Sequence, residues 1–75
     1  MIATAMKRIS IISNVLKSVG YDETSATLEV EFKNGGLYQY FDVPADAYAA
    51  LMLAPSKGTH FGDHVRDAYR FKRIE

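Results

Sequence analysis

Three groups of residues in this 75-residue chain have types and spacings that bear on chemistry. His60 and His64, in "HFGDH", are four apart. At that spacing two imidazoles share one helix face and can share a metal, as in His-Glu-x-x-His zinc sites. Phe61 stands where that pattern carries its glutamate, and no clear third ligand follows. The expectation is therefore solvated or capping histidines, with no metal and no other cofactor. "APSKGT", residues 54–59, resembles a phosphate loop in composition but lacks the Gly-x-x-x-x-Gly-Lys spacing. Its expected role is an interhelix turn, with Pro55 and Gly58 as breakers and Ser56 as a cap. The third group is Tyr38 and Tyr40, set either side of Gln39, together with the bases Lys57, Arg66, Arg70, Lys72 and Arg73. Phenol rings can stack on bases or apolar partners, and cationic side chains can contact phosphates. There is no cysteine nucleophile, and the carboxylates are expected on exposed strand positions, where burial cannot tune them for proton transfer. The chain reads as a non-enzymatic binding module.

The elements that must position these groups follow from hydrophobic periodicity. "TLEVEF", residues 27–32, alternates strictly, with Leu28, Val30 and Phe32 on one face and Thr27, Glu29 and Glu31 on the other. "KNGG" then gives the Asn-Gly signal for a two-residue type I′ hairpin, and residues 37–43 return as the next strand. Upstream, "NVLKSVGY" forms a third strand, joined through the turn "DETS". Pro44 ends the strand run. "PADAYAALMLA" reads as a helix with Ala45, Tyr48, Leu51 and Met52 on one face, and "THFGDHVRDAYRFKRI" as a second with Phe61, Val65 and Tyr69. Thr59 is its expected N-cap, and Gly62 is a weak point within it. The expected fold is α+β: a three-stranded antiparallel meander followed by two helices packed on one face, β-β-β-α-α.

A two-residue Asn34-Gly35 loop pairs Lys33 with Gly36. Phe32 then faces Leu37, Val30 faces Gln39, and Leu28 faces Phe41. Glu31 lies across from Tyr38 and Glu29 across from Tyr40, so both tyrosines point outward among carboxylates. A slip of one residue reverses this assignment, because side-chain periodicity along a strand is two. The competing reading makes Tyr38 and Tyr40 cross-strand packing residues.

One domain over residues 9–75 is expected, with residues 1–8 as a flexible N-terminus. Hydrophobic residues are 48% of the chain and nine residues are Phe or Tyr, enough for a small core. Nine bases balance nine acids. The charge is sided: residues 20–46 hold six acids against Lys33 alone, and residues 57–75 hold five bases against three acids. That is not the global positive charge of a strong nucleic-acid binder. No secretory or membrane-spanning segment is read, and the expected location is the cytoplasm.

Several stretches resemble one family. "SVGYD", "LEVEF", "GLYQYFDVP", "YAALMLAPSKG" and "HF" with the later Val65 and Tyr69 are together similar to the KTSC domain, over about residues 13–70. This short bacterial module is named for its place at the C-terminus of some lysyl-tRNA synthetases, and it also occurs alone. Its Tyr-x-Tyr corresponds to Tyr38 and Tyr40, its Val-Pro to Val43 and Pro44. Its Ala-x-Ser-x-Gly-x-x-Phe corresponds to Ala54, Ser56, Gly58 and Phe61. Gly62 departs from the asparagine usual after that phenylalanine. The resemblance implies no catalytic residues. It implies RNA binding; on the chemistry of the residues, tRNA or another structured RNA would be met by Tyr38 and Tyr40 as stacking surfaces and by the basic last helix (Arg66, Arg70, Lys72, Arg73) with Lys57 as phosphate contacts. The alternative is a protein partner or a second copy of the chain, as in a phage or bacterial accessory protein.

Overall fold

The computed structural model describes residues 7–75. Five strands and two helices follow in chain order: β1 (Arg8–Ser10), β2 (Leu16–Asp22), β3 (Thr27–Phe32), β4 (Leu37–Tyr40), α1 (Ala45–Leu53), α2 (Lys57–His64) and β5 (Phe71–Arg73). The strands form one sheet in the order β1-β2-β3-β4-β5, antiparallel throughout. The class is α+β with helices on one face, and the sheet has two strands beyond the three expected. Residues 1–6 of the expected flexible N-terminus lie outside the described residues, and Arg8 opens β1.

The hairpin between β3 and β4 departs from expectation and resets the whole sheet. Its loop has three residues, Lys33, Asn34 and Gly35. The Phe32 amide donates to Gly36 O at 2.8 Å and the Gly35 amide to Phe32 O at 2.9 Å. Gly35 has φ +103°, while Asn34 is not among the residues with positive φ. A type I′ turn needs positive φ at both central residues. A type I turn closed by a bulge glycine needs it at one, and adds a residue to the loop. Asn34 Oδ1 accepts from the Gly36 amide at 3.0 Å and steadies this bend. The register becomes Leu28↔Tyr40, Glu29↔Gln39, Val30↔Tyr38 and Glu31↔Leu37. Every residue of β4 is therefore on the face opposite to the one expected: Tyr38 and Tyr40 lie with Val30 and Leu28 on the helix side, and Glu29 and Glu31 lie on the other.

The core fills the helix side. Leu16, Val19, Leu28, Val30, Tyr40 and Val43 meet Leu51 of α1, Phe61 of α2 and Val65 just beyond it. Pro44 precedes α1, and Asp46 lies in its first turn, where the helix dipole favours a negative charge. Leu51 is its buried residue, with Tyr48 and Met52 half-buried and Ala45 exposed. Tyr48 stacks on Tyr21 of β2 at 4.7 Å, and the Tyr21 hydroxyl donates to Val43 O at 2.6 Å. Together these tie α1 to the sheet.

The second helix is half the expected length. Ser56, not Thr59, is its N-cap and accepts from the Thr59 amide at 3.4 Å. It ends at His64, residues 65–69 turn, and residues 71–73 return as a strand. The Phe41 amide donates to Arg70 O at 2.9 Å and the Ile74 amide to Leu37 O at 2.6 Å, so the returning chain satisfies an edge of β4 that would otherwise lie open.

The candidate interface at the fifth strand

The basic last helix expected from periodicity does not exist. Arg66 lies in the turn after α2, Arg70 just before β5, and Lys72 and Arg73 within β5. All four are exposed. The strand straddles the sheet edge with bases: Arg73 lies opposite Tyr38 on the helix side, and Lys72 opposite Gln39 on the other. The Arg73 guanidinium sits 5.8 Å from the Tyr38 ring centroid, and its Nε donates to Glu75 O at 2.9 Å. Arg70 lies 5.7 Å from the Phe41 ring centroid and pairs with Asp42 at 2.9 Å, both groups largely exposed. Such a pair is worth little in water and leaves the guanidinium free to change partners. Lys57 belongs elsewhere: its Nζ donates to Ala54 O at 3.1 Å in a groove at the start of α2.

The tyrosines are not the displayed aromatics. Tyr40 retains 2% of its surface, and Tyr38 is half-buried. Gly36 makes room for the Tyr38 ring, since a Cβ there would come within 3.0 Å of Tyr38 Cε1. Tyr40 makes edge contact with Phe61 at 5.4 Å, and Tyr38 with Phe32 at 5.4 Å. Burial pushes the Tyr40 phenol above its ordinary pKa, with smaller upward contributions from Tyr38 and Asp67 and a downward one from Arg66. The row continues to Phe71, whose ring lies 5.4 Å from Tyr40 and 5.8 Å from Tyr38 and is 54% exposed. Phe71 is the residue that sequence reading missed. Its signal was present: Tyr69 and Phe71 alternate with Arg70 and Lys72 at the period of a strand, and a helical face through Phe61, Val65 and Tyr69 overrode it.

The opposite face of the sheet is a closed polar network. Arg8 of β1 ion-pairs with Glu29 and donates to Ser18 Oγ at 3.1 Å. Ser18 Oγ donates to Glu31 Oε1, and Gln39 Nε2 to Glu29 Oε1, both at 2.9 Å. Glu29, expected at an exposed position, is only 5% exposed, because Arg8 and Gln39 close over it. These carboxylates are spoken for by Arg8, Ser18 and Gln39, and they lie away from the aromatic row. The His60 and His64 rings lie with centroids 4.5 Å apart, tilted by 39°, and among the described residues no group of three or more His, Cys, Asp or Glu is gathered to hold a metal. No helix among the described residues is long and apolar enough to cross a membrane.

This architecture defines a class: a small antiparallel sheet covered by helices on one face. The sequence signature of the KTSC domain matches residues 12–69, and the chain belongs to that family. It is 44% identical to an uncharacterized protein of Stutzerimonas stutzeri over 93% of its own length and all of that protein's. It is 36% identical to a lysine–tRNA ligase of Nostoc punctiforme over 81% of its own length, but spans only 11% of the ligase. A crystal structure of a KTSC domain protein from Yersinia pestis superposes with a TM-score of 0.91 at 35% identity, covering 95% of this chain and all of that one.

Proposed function

We propose that the protein is a non-catalytic RNA-binding module whose contact surface is the β5 edge, with Phe71 as the stacking ring. The observation that carries this reading is the exposed Phe71 ring at the end of an aromatic row, on a strand flanked and occupied by Arg70, Lys72 and Arg73. An unpaired base can stack on an exposed ring while the guanidinium and ammonium groups take the adjoining phosphates. Glu29 and Glu31, which would repel a nucleic-acid backbone from a face they shared with the rings, face the other way. The relationship to a segment of lysine–tRNA ligases makes tRNA the first RNA to try.

The test is titration of fluorescent tRNA with the full chain at several salt concentrations. With three to four phosphate contacts, log affinity should fall against log salt with a slope of about −2 to −3. Phe71→Ala and Arg73→Ala should each weaken binding by about tenfold, on the scale of one lost base–aromatic stack or one charged contact. Absence of binding at low salt, or binding that ignores both substitutions, ends this reading. The second reading is a protein partner or a second copy docking on β5, favoured by its being an edge strand with exposed Phe71 and Ile74. That outcome would appear as binding or self-association with little salt dependence and no response to tRNA.

A further inference from the structure

At the end of the sheet where β2 and β4 begin, the β1–β2 loop, Lys33 of the β3–β4 loop and the start of α2 border an open groove of about 700 Å³. It shares no residue with the β5 edge. Its apolar lining includes Ile12, which is fully exposed, Val15, which is 51% exposed, and Pro55. Isolated exposed apolar residues are ordinary, but here they line a concavity. The rim is cationic. Lys33 has no ion-pair partner among the described residues, and Lys57 is held in place by its bond to Ala54 O, which leaves two of its three N–H donors free. None of the described residues lining the groove is acidic.

Helix α2 adds to this charge. Its first turn contains no acid, whereas α1 carries Asp46 at the equivalent place. Ser56 caps the Thr59 amide, but no carboxylate of the helix offsets the positive end of α2, which opens into the groove beside Lys57. Ser13 Oγ accepts from the Val15 amide at 3.1 Å and the Leu16 amide at 3.2 Å, which shapes the turn that follows Ile12.

We propose that this groove docks an extended segment of a partner protein in which acidic and apolar side chains alternate. Its apolar side chains cover Ile12, Val15 and Pro55, and its carboxylates meet Lys33, Lys57 and the first turn of α2. Complementarity of charge selects this occupant over a basic segment. The apolar lining selects it over a polynucleotide, whose phosphates would satisfy the lysines and leave Ile12 and Val15 uncovered.

The experiment uses the full chain and a fluorescein-labelled hexapeptide of alternating leucine and aspartate or glutamate, with a matched leucine–lysine peptide as control. Anisotropy should report saturable binding of the acidic peptide alone, and amide resonances should shift at residues 11–15, 33 and 55–59. Lys33→Glu and Ile12→Asp, both at exposed positions that leave the thermal transition in place, should each weaken binding by about tenfold or more. Phe71→Ala and Arg73→Ala should leave it unchanged, which separates this groove from the β5 interface. No saturable binding, equal binding of the lysine peptide, or shifts confined to other residues overturns the proposal. So does full displacement by inorganic phosphate, which would mean a simple anion site, or displacement by tRNA acting on the same amides.

Discussion

Tyr40 and Phe71 face each other across the β4–β5 ladder on the same side of the sheet, yet one is 2% and the other 54% exposed. Both are aromatic, and both rings join the same row. The difference lies in what stands above them. Phe61 of α2 packs on Tyr40 and Val65 belongs to the same core cluster, while the chain leaves the helix at His64 and turns before it reaches β5. Strand alternation thus assigns a face, and the reach of the helices decides whether a ring on that face is core or surface. The same contrast separates the two faces of the β3–β4 hairpin. The apolar one is sealed by helices, and the polar one is closed by Arg8, Ser18 and Gln39 around Glu29.

The hardest way to break this comparison is to insert one alanine between Gly36 and Leu37. With the loop itself kept, Leu37 would face Val30 and Tyr38 would face Glu29, placing the tyrosines with the carboxylates and Gln39 in the core. The expected outcome is loss of the cooperative urea transition followed by circular dichroism; a folded protein with native-like stability would show that the register does not decide which rings are buried. Next in size, Tyr40→Ala should cost about 3–5 kcal/mol in urea unfolding, comparable to the whole stability of so small a domain. Phe71→Ala should cost no more than about 1 kcal/mol, since its ring is already half in water. Equal costs at the two positions would erase the distinction between core ring and surface ring.

The smallest effect is in alkali. Burial raises the Tyr40 phenol, and the Tyr21 phenol is raised by burial and then by the carboxylates of Glu23, Asp22 and Asp46. A group whose folded pKa lies above its unfolded value contributes stability that is complete below the unfolded value, near 10, and is lost as pH climbs through the folded one. Urea midpoints should accordingly hold steady to about pH 9 and decline above about pH 10. Tyr40→Phe should shallow that decline, and Phe71→Ala should leave its slope alone. A decline of unchanged slope in Tyr40→Phe would mean that ionisation of this ring costs the fold nothing.

The KTSC resemblance, the α+β class, the strand over residues 27–32 and the helix beginning after Pro44 were all legible in the residues, because periodicity, a proline stop and a first-turn acid act locally. The candidate site was legible only as a list of bases. Phe71 stayed hidden because residues 59–74 support a helical and an extended period at once, and local propensity does not rank them.

What the sequence alone determined is which short segments can be strand or helix, since that follows from steric and hydrophobic preferences within a few residues. Tertiary structure decided the rest. The open edge of β4 drew residues 71–73 out of a helix by offering backbone partners for Phe71–Arg73. One extra residue in the Lys33–Asn34–Gly35 loop turned Tyr38 and Tyr40 inward. Both outcomes depend on hydrogen bonds and apolar burial between segments distant in the chain, a free energy that no window of neighbouring residues contains.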